Sequence, residues 1–335
     1  MDRTEFGEIL EGIKIMEGMP FEQMQKVLSP LRMAINKMFP ARLYRYRSCN
    51  ENNMAAFEKD QVWLSTSDMF NDPFDTLIQY DEAQLLSAFD FMSDSNVFKA
   101  ISQVYAAGFC PYPVDQLVDK DVSEWLKLKA AEVTNGNTVA LPDSEVIQQM
   151  KGLFGLILMQ IPKMAQRYSM VACFSEKVDS VLMWSHYAAN HTGFALGYDL
   201  RLCRSDKKWE DIGIFPIVYS ENRYGASAFL IYQFFKLMNV PAHNPDITSS
   251  IKLMLYKSVD WQYEQEWRLI KSGPRGSLEG CSEPIDVKPN SIYYGCRISP
   301  KDRQMLHDIA VLKGIEEHSV FIDNAGKSYK MRVSD

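Results

Sequence analysis

An α+β fold, with strands and helices in separate runs, is the class this sequence predicts, and three observations carry it. Short Tyr-, Val- and Ile-rich segments with strand character lie at 42–65 and again from Met170 onward. Between them, residues 81–170 follow helical spacing, as do residues 1–39 at the start. The strands do not alternate one for one with helices, which argues against a βαβ series.

Residues 1–40 read as helices packed on the main domain, because Phe6, Ile9, Leu10 and Ile13 share one face and Pro20, Pro30 and Pro40 punctuate the stretch. The rest, 41–335, reads as one α+β domain carrying a helical insertion at about 80–170. Its first strand is 42–48 and its second 62–65, followed by the turn Asn71-Asp72-Pro73. Leu85, Ala88, Phe89 and Met92 mark a helix in the insertion, and Leu153–Ile161 another.

Strands are expected at 171–175, 193–199 and 214–219. A helix is expected over 224–258, apolar nearly all round at 229–238. Strands return at 267–270, 285–287 and 292–295, and a hairpin at 320–333 turns at Asp323-Asn324-Ala325-Gly326. One helix between them has both ends signed: Ser299 as N-cap, Pro300 in the first turn, Gly314 past the last.

Composition narrows the function classes. Of 335 residues, 46% are apolar and 24% charged, which excludes a disordered or collagen-like chain. The net charge of −7 disfavours generic nucleic-acid binding without excluding a local basic patch. No apolar run approaches the ~20 residues of a membrane span, and acidic Asp2, Glu5 and Glu8 do not suit a signal peptide. Six cysteines without a Cys-x-x-Cys pair suit a reduced, cytoplasmic protein and no structural zinc site.

Four clusters could carry chemistry. In Tyr44-Arg45-Tyr46-Arg47-Ser48, strand alternation places both guanidiniums on one face, suited to a diphosphate. Ser65, Ser67, Asn71 and Asp72 offer hydroxyls beside a strand and a polar turn, and such turn residues commonly satisfy their own backbone. Ser175, Trp184, His186 and His191 form an aromatic and imidazole cluster. It lacks the His-Glu-x-x-His spacing of a zinc enzyme and the Gly-x-Ser-x-Gly elbow of a hydrolase. Glu264 and Glu266, two apart on an expected strand, would share a face and repel unless a cation or substrate sits between them.

Taken in order along 43–297, several motifs resemble the bacterial family called domain of unknown function 2971. They are Leu-Tyr-Arg-Tyr-Arg-Ser, Phe-Asn-Asp-Pro-Phe-Asp, Cys-Phe-Ser-Glu, Met-Trp-Ser-His-Tyr-Ala with His-Thr-Gly, Trp-Gln-Tyr-Glu-Gln-Glu-Trp-Arg and Tyr-Tyr-Gly-Cys-Arg. The layout is also similar to ADP-ribosyltransferases of the DNA-modifying toxin type. Arg45 falls where their first-strand His stands, Ser65-Thr66-Ser67 resembles the Ser-Thr-Ser element of the Arg-Ser-Glu class, and Glu264-Gln265-Glu266 resembles its Glu-x-Glu.

That second resemblance implies an ADP-ribosyltransferase-like mixed sheet and an enzyme using NAD as substrate in a toxin or phage-defence setting. Glu266 would stabilise the ribose oxocarbenium ion and Glu264 would orient or deprotonate an unidentified acceptor. Arg45 or Arg47 would clamp the diphosphate and Tyr46 or Trp184 would stack on a ring. Ser65 or Ser67 would hold the glutamate or ribose, with Asn71, Asp72, Ser175 and His186 completing the nucleotide-binding set. Two alternatives stand beside this reading. One is a non-enzymatic nucleotide-sensing or protein-interaction module. The other is a metal-dependent hydrolase built on Glu264, Glu266, His186 and His191.

Overall fold

A computed structural model describes residues 1–16, 18–83, 155, 166–167, 169–201, 212–227, 229–230, 246, 248–272, 281–327 and 329–334. The expected insertion helices and the core of the apolar 229–238 segment lie outside the described residues. The fold is mixed α+β, built on a mostly antiparallel sheet.

The chain opens with α1 (Arg3–Gly12), whose start is fixed by a capping box between Asp2 and Glu5. It buries Phe6 and Leu10 against the main core. Helix α2 (Phe21–Met38) contains Pro30 and nevertheless runs on through it, so Pro30 is not the break that punctuation suggests. Then come β1 (Leu43–Arg47), α3 (Glu51–Glu58), β2 (Gln61–Thr66), β3 (Ser169–Ser175), α4 (Val181–Tyr187) and β4 (Phe194–Tyr198).

The second half contains β5 (Ile212–Pro216), β6 (Val218–Ser220), α5 (Ser249–Leu253), β7 (Tyr256–Ser258), β8 (Glu266–Ser272), β9 (Ser282–Asp286) and β10 (Ser291–Tyr294). It ends with α6 (Pro300–Lys313), β11 (Glu316–Ile322) and β12 (Met331–Val333). Helix α6 keeps its expected caps: the Ser299 side chain accepts from the Asp302 amide, and Gly314 takes the left-handed conformation at φ 63°.

Two segments differ from the expected ones. The strand expected over 214–219 is divided: β5 joins the large sheet beside β8, whereas β6 pairs in parallel with β7 in a separate two-stranded sheet. The helix expected over 224–258 accordingly ends in a strand, β7. A three-residue strand bonded to a distant partner leaves too little local periodicity to be read in advance.

In the large sheet the order is β12-β11-β10-β4-β1-β3-β2-β9, with β8 pairing β3 and β5. Strand β8 covers one edge of β3 along its whole length, from Ser169↔Ser272 to Ser175↔Glu266. The other edge of β3 is shared: Ser65 of β2 pairs Val171 at one end, and Tyr44 of β1 pairs Ser175 at the other. The sheet therefore forks between β1 and β2. One contact spans the fork, Arg45 Nη2 donating to the Trp63 carbonyl at 2.6 Å.

Gly193 holds β1 in place from behind. A Cβ there would meet the Arg47 carbonyl at 2.1 Å and the Ala188 carbonyl at 3.0 Å, so only glycine lets the loop before β4 come this close. Among the described residues no helix is long and apolar enough to cross a membrane.

Candidate active site

The fork opens into a cleft of about 430 Å³. Tyr44 and Tyr46 share the β1 face that continues through Ser175 to Glu266, while Arg45 and Arg47 share the parity of buried Leu43. Because the sheet is split there, side chains from both faces of β1 line the same space.

On the β8 side of the cleft lies a buried ionic cluster. Arg268 Nη1 meets Asp75 Oδ1 at 2.9 Å, and its Nη2 meets the other Asp75 oxygen. Arg268 Nε donates to Glu266 Oε1 at 2.7 Å, and Nη1 also reaches the Met254 carbonyl at 2.6 Å. Lys257 Nζ bridges the two glutamates, at 2.6 Å from Glu264 Oε2 and 3.0 Å from Glu266 Oε2. Tyr187 Oη donates to Glu264 Oε1 at 2.5 Å and accepts from Asn71 Nδ2 at 3.3 Å.

Three carboxyl groups thus face two cations, leaving one negative charge or one proton in excess. Burial, and then the charge of Glu266, push the Glu264 carboxyl above the ordinary range. Glu266 goes the other way: burial opposes its charge, but Arg268 and Lys257 outweigh it and hold this carboxyl well below the ordinary range. Lys257, despite burial, is held firmly protonated by Glu266 and Glu264. Burial, with Glu266 alongside, keeps the Cys173 thiol protonated.

The two glutamates meet for a reason other than strand alternation. Glu264 ends a 3₁₀ turn (Val259–Glu264) and Glu266 begins β8. Between them Gln265 is left-handed, at φ 45° and ψ 52°, which turns both carboxylates to Lys257. The cation that would relieve their repulsion is therefore part of the protein.

The β1 side has the opposite character. Arg47 has its side chain on the Tyr46 carbonyl at 2.9 Å, and among the described residues no carboxylate pairs with it. Burial lowers its pKa. Arg45 packs over the Phe174 ring at 5.5 Å, and its buried Nε and Nη1 have no hydrogen-bond partner among the described residues.

Of the residues singled out in the sequence, Arg45, Tyr46, Arg47, Ser65, Asn71, Ser175, His186, Glu264 and Glu266 all line this cleft. Ser175 Oγ is committed to the Glu264 carbonyl at 2.6 Å and accepts from the Lys177 amide at 3.1 Å. Tyr46 has its hydroxyl on the Lys177 carbonyl and its ring edge-on to Trp184 at 5.1 Å.

Ser67, Asp72 and Trp184 do not line it. Ser67 is buried on Thr76 and the Gln166 carbonyl. Asp72 closes its own turn by accepting from the Phe74 amide at 2.9 Å. Trp184 is fully buried, its indole N–H on the Val178 carbonyl at 2.7 Å, which leaves no face for stacking. His186 and His191 line different clefts, so they do not converge as metal ligands.

Lys257, Arg268, Asp75 and Tyr187 carry much of the site without being among the residues that the sequence marks as functional, although Asp75, Tyr187 and Arg268 fall inside motifs named above. One signal was available for Arg268. Strand alternation sets Arg268 on the same face as Glu266 and Ile270, opposite Trp267 and Leu269, which makes it a partner for Glu266.

Support comes from behind as well. Arg3 of α1 donates to the Glu266 carbonyl at 2.7 Å and the Ile217 carbonyl at 2.8 Å, and pairs with Glu176 at 2.7 Å. Glu176 Oε1 also accepts from the Trp267 indole at 2.6 Å.

The fold and site define an α+β protein with a forked sheet and a buried ionic cluster in the fork. Residues 183–269, from α4 into β8, match the family model described as Protein of unknown function (DUF2971). That span contains Tyr187, Lys257, Glu264, Glu266 and Arg268. No curated protein and no solved structure matches the chain.

Proposed function

We propose that the cleft binds NAD and that the protein transfers ADP-ribose from it to an acceptor. The charge layout of the cleft supports this reading. Arg45 and Arg47 stand without acid partners among the described residues on the β1 side, and an acid-rich cluster stands on the β8 side. NAD suits this layout, because its diphosphate dianion and its nicotinamide cation are separate charges joined through one ribose.

In the proposed reaction the bond between ribose C1′ and the nicotinamide nitrogen breaks, and its electron pair leaves with nicotinamide. The resulting oxocarbenium ion is stabilised by the negative field of the cluster, with Glu266 held ionised by Arg268 and Lys257. The acceptor oxygen or nitrogen then bonds to C1′ and releases its proton to Glu264. Ionised Glu264 suits this role because a raised pKa makes its carboxylate a stronger base. Ser65 and Asn71 line the cleft and would hold ribose hydroxyls, and His186 lines it as well.

A second reading, a nucleotide sensor without turnover, is favoured by one observation. Both oxygens of Glu266 are already taken by Lys257 and Arg268, so it has little capacity left for a ribose hydroxyl. The test is NAD binding by calorimetry together with nicotinamide release, for the full chain and for Glu264→Gln and Glu266→Gln. The enzyme reading expects release by the wild type and its loss in both variants. Binding with no release establishes the sensor, and absence of both rejects a nucleotide site.

A further inference from the structure

A second concavity of about 1000 Å³ lies behind one wall of the cleft. The wall is thin. Ser175 faces the cleft while Lys177, two residues on, faces the groove, and Glu264 faces the cleft while Tyr263 and Gln265 face the groove. Although the whole chain is acidic, the groove is cationic. Its two acids are occupied, Asp179 by Lys330 at 3.7 Å and Asp323 by Arg332 at 3.2 Å. Lys177, Arg297 and Lys327 remain, and no carboxylate among the described residues pairs with them.

A buried imidazole borders the same space. His191 is 9% exposed and closes a run of three left-handed residues, Ala189, Asn190 and His191. Ser185 Oγ donates its one proton to the Val181 carbonyl at 2.9 Å. Its 3.0 Å contact with His191 Nε2 is therefore donated by the imidazole. Nδ1 is left as a bare lone pair without a partner. Burial and the neighbouring Arg297 keep the ring neutral.

We infer that this groove is a second binding site, for a phosphorylated small molecule of the nucleoside monophosphate class. Lys177, Arg297 and Lys327 would hold its phosphate, and His191 Nδ1 would accept from an N–H or O–H of the rest of the molecule. Three unpaired cations suit a dianion. The unsatisfied acceptor supplies selectivity, because a buried lone pair left unpaired penalises ligands that bring no donor. The inference stands apart from NAD chemistry, and its test is made with the β1 arginines removed.

The probe is adenosine 5′-monophosphate, with inorganic phosphate in parallel, titrated into the full chain carrying Arg45→Gln and Arg47→Gln. Calorimetry reports affinity, and the ¹⁵N resonance of His191 Nδ1 reports the site. The monophosphate is expected to bind more tightly than phosphate and to move that resonance. Adding Lys177→Gln and Arg297→Gln, both at exposed positions, should weaken it by about tenfold or more. A flat isotherm, an unmoved Nδ1 resonance, or affinity indifferent to those two substitutions overturns the proposal. If the arginine variant fails to fold, the same His191 readout on the wild-type chain decides between the same outcomes.

Discussion

Asp75 and Arg268 are 193 positions apart in sequence and form a two-pronged ion pair, with the carboxylate 1% and the guanidinium 0% exposed. The pair ties the Phe-Asn-Asp-Pro-Phe-Asp turn to the strand that carries Glu266. Removing Asp75 takes two charge-assisted hydrogen bonds from a buried guanidinium, while Glu266 still balances its charge. Asp75→Ala should therefore lose about 2–4 kcal/mol of stability. Urea unfolding measures this, and a loss under about 1 kcal/mol would show that the turn is not anchored through this pair.

Glu266 makes stability depend on acid. Its carboxyl is depressed in the folded protein, so its contribution is complete above the ordinary carboxylate pKa, about 4.3. That contribution is lost as pH falls through the folded value. The gap in stability between wild type and Glu266→Gln should be widest near neutrality and shrink steadily below about pH 4. Denaturation midpoints over a pH series check this, and a gap that grows in acid would reverse the assignment.

Glu264 has the opposite sign. Its pKa is raised, so its contribution is complete below the ordinary carboxylate range and disappears as pH rises through the folded value. Because burial and Glu266 already disfavour its charge, Glu264→Gln should cost less stability at pH 7 than Glu266→Gln. Parallel unfolding curves for the two variants test the order.

Arg47 sets stability against binding. Its guanidinium has no acid partner among the described residues and burial lowers its pKa, so Arg47→Met should raise stability by about 1–2 kcal/mol. The same variant should bind NAD or ADP at least about tenfold more weakly. Thermal melts with calorimetry settle both halves. A variant that loses stability and keeps affinity contradicts the role given to this arginine.

Gly193 should tolerate no side chain. The nearest atoms to an added Cβ are backbone carbonyls, at 2.1 Å from Arg47 and 3.0 Å from Ala188, which cannot rotate away. Gly193→Ala should lose about 1–3 kcal/mol and displace the strand that carries Arg45 and Arg47. Its melting temperature and nucleotide affinity should fall together.

Much of this fold is legible locally. β1, β2, β3 and β4 follow from apolar and aromatic runs with turn residues at their ends, and α6 from Ser299, Pro300 and Gly314. Elements whose partners are remote are not. β7 exists only through its ladder with β6, and Pro30 reads as a break although α2 runs through it. The same divide runs through the site. Charged and hydroxyl residues near a strand are legible because type and spacing are enough to name them. Lys257 and Asp75 escaped because their meaning comes from Glu264, Glu266 and Arg268, which the sheet brings to them. Trp184 looked like a stacking surface because exposure cannot be read from residue type, and its indole proved to be core.

Arg3 makes the first helix a participant in whatever happens at Glu266. Its guanidinium holds the Glu266 and Ile217 carbonyls together with the Glu176 carboxylate. Helix docking and the position of Glu266 thus form one thermodynamic cycle. A ligand that fixes Glu266 must, by the same amount of free energy, fasten α1 to the sheet. Amide hydrogens of α1, which does not line the cleft, should then exchange more slowly once the cleft is filled.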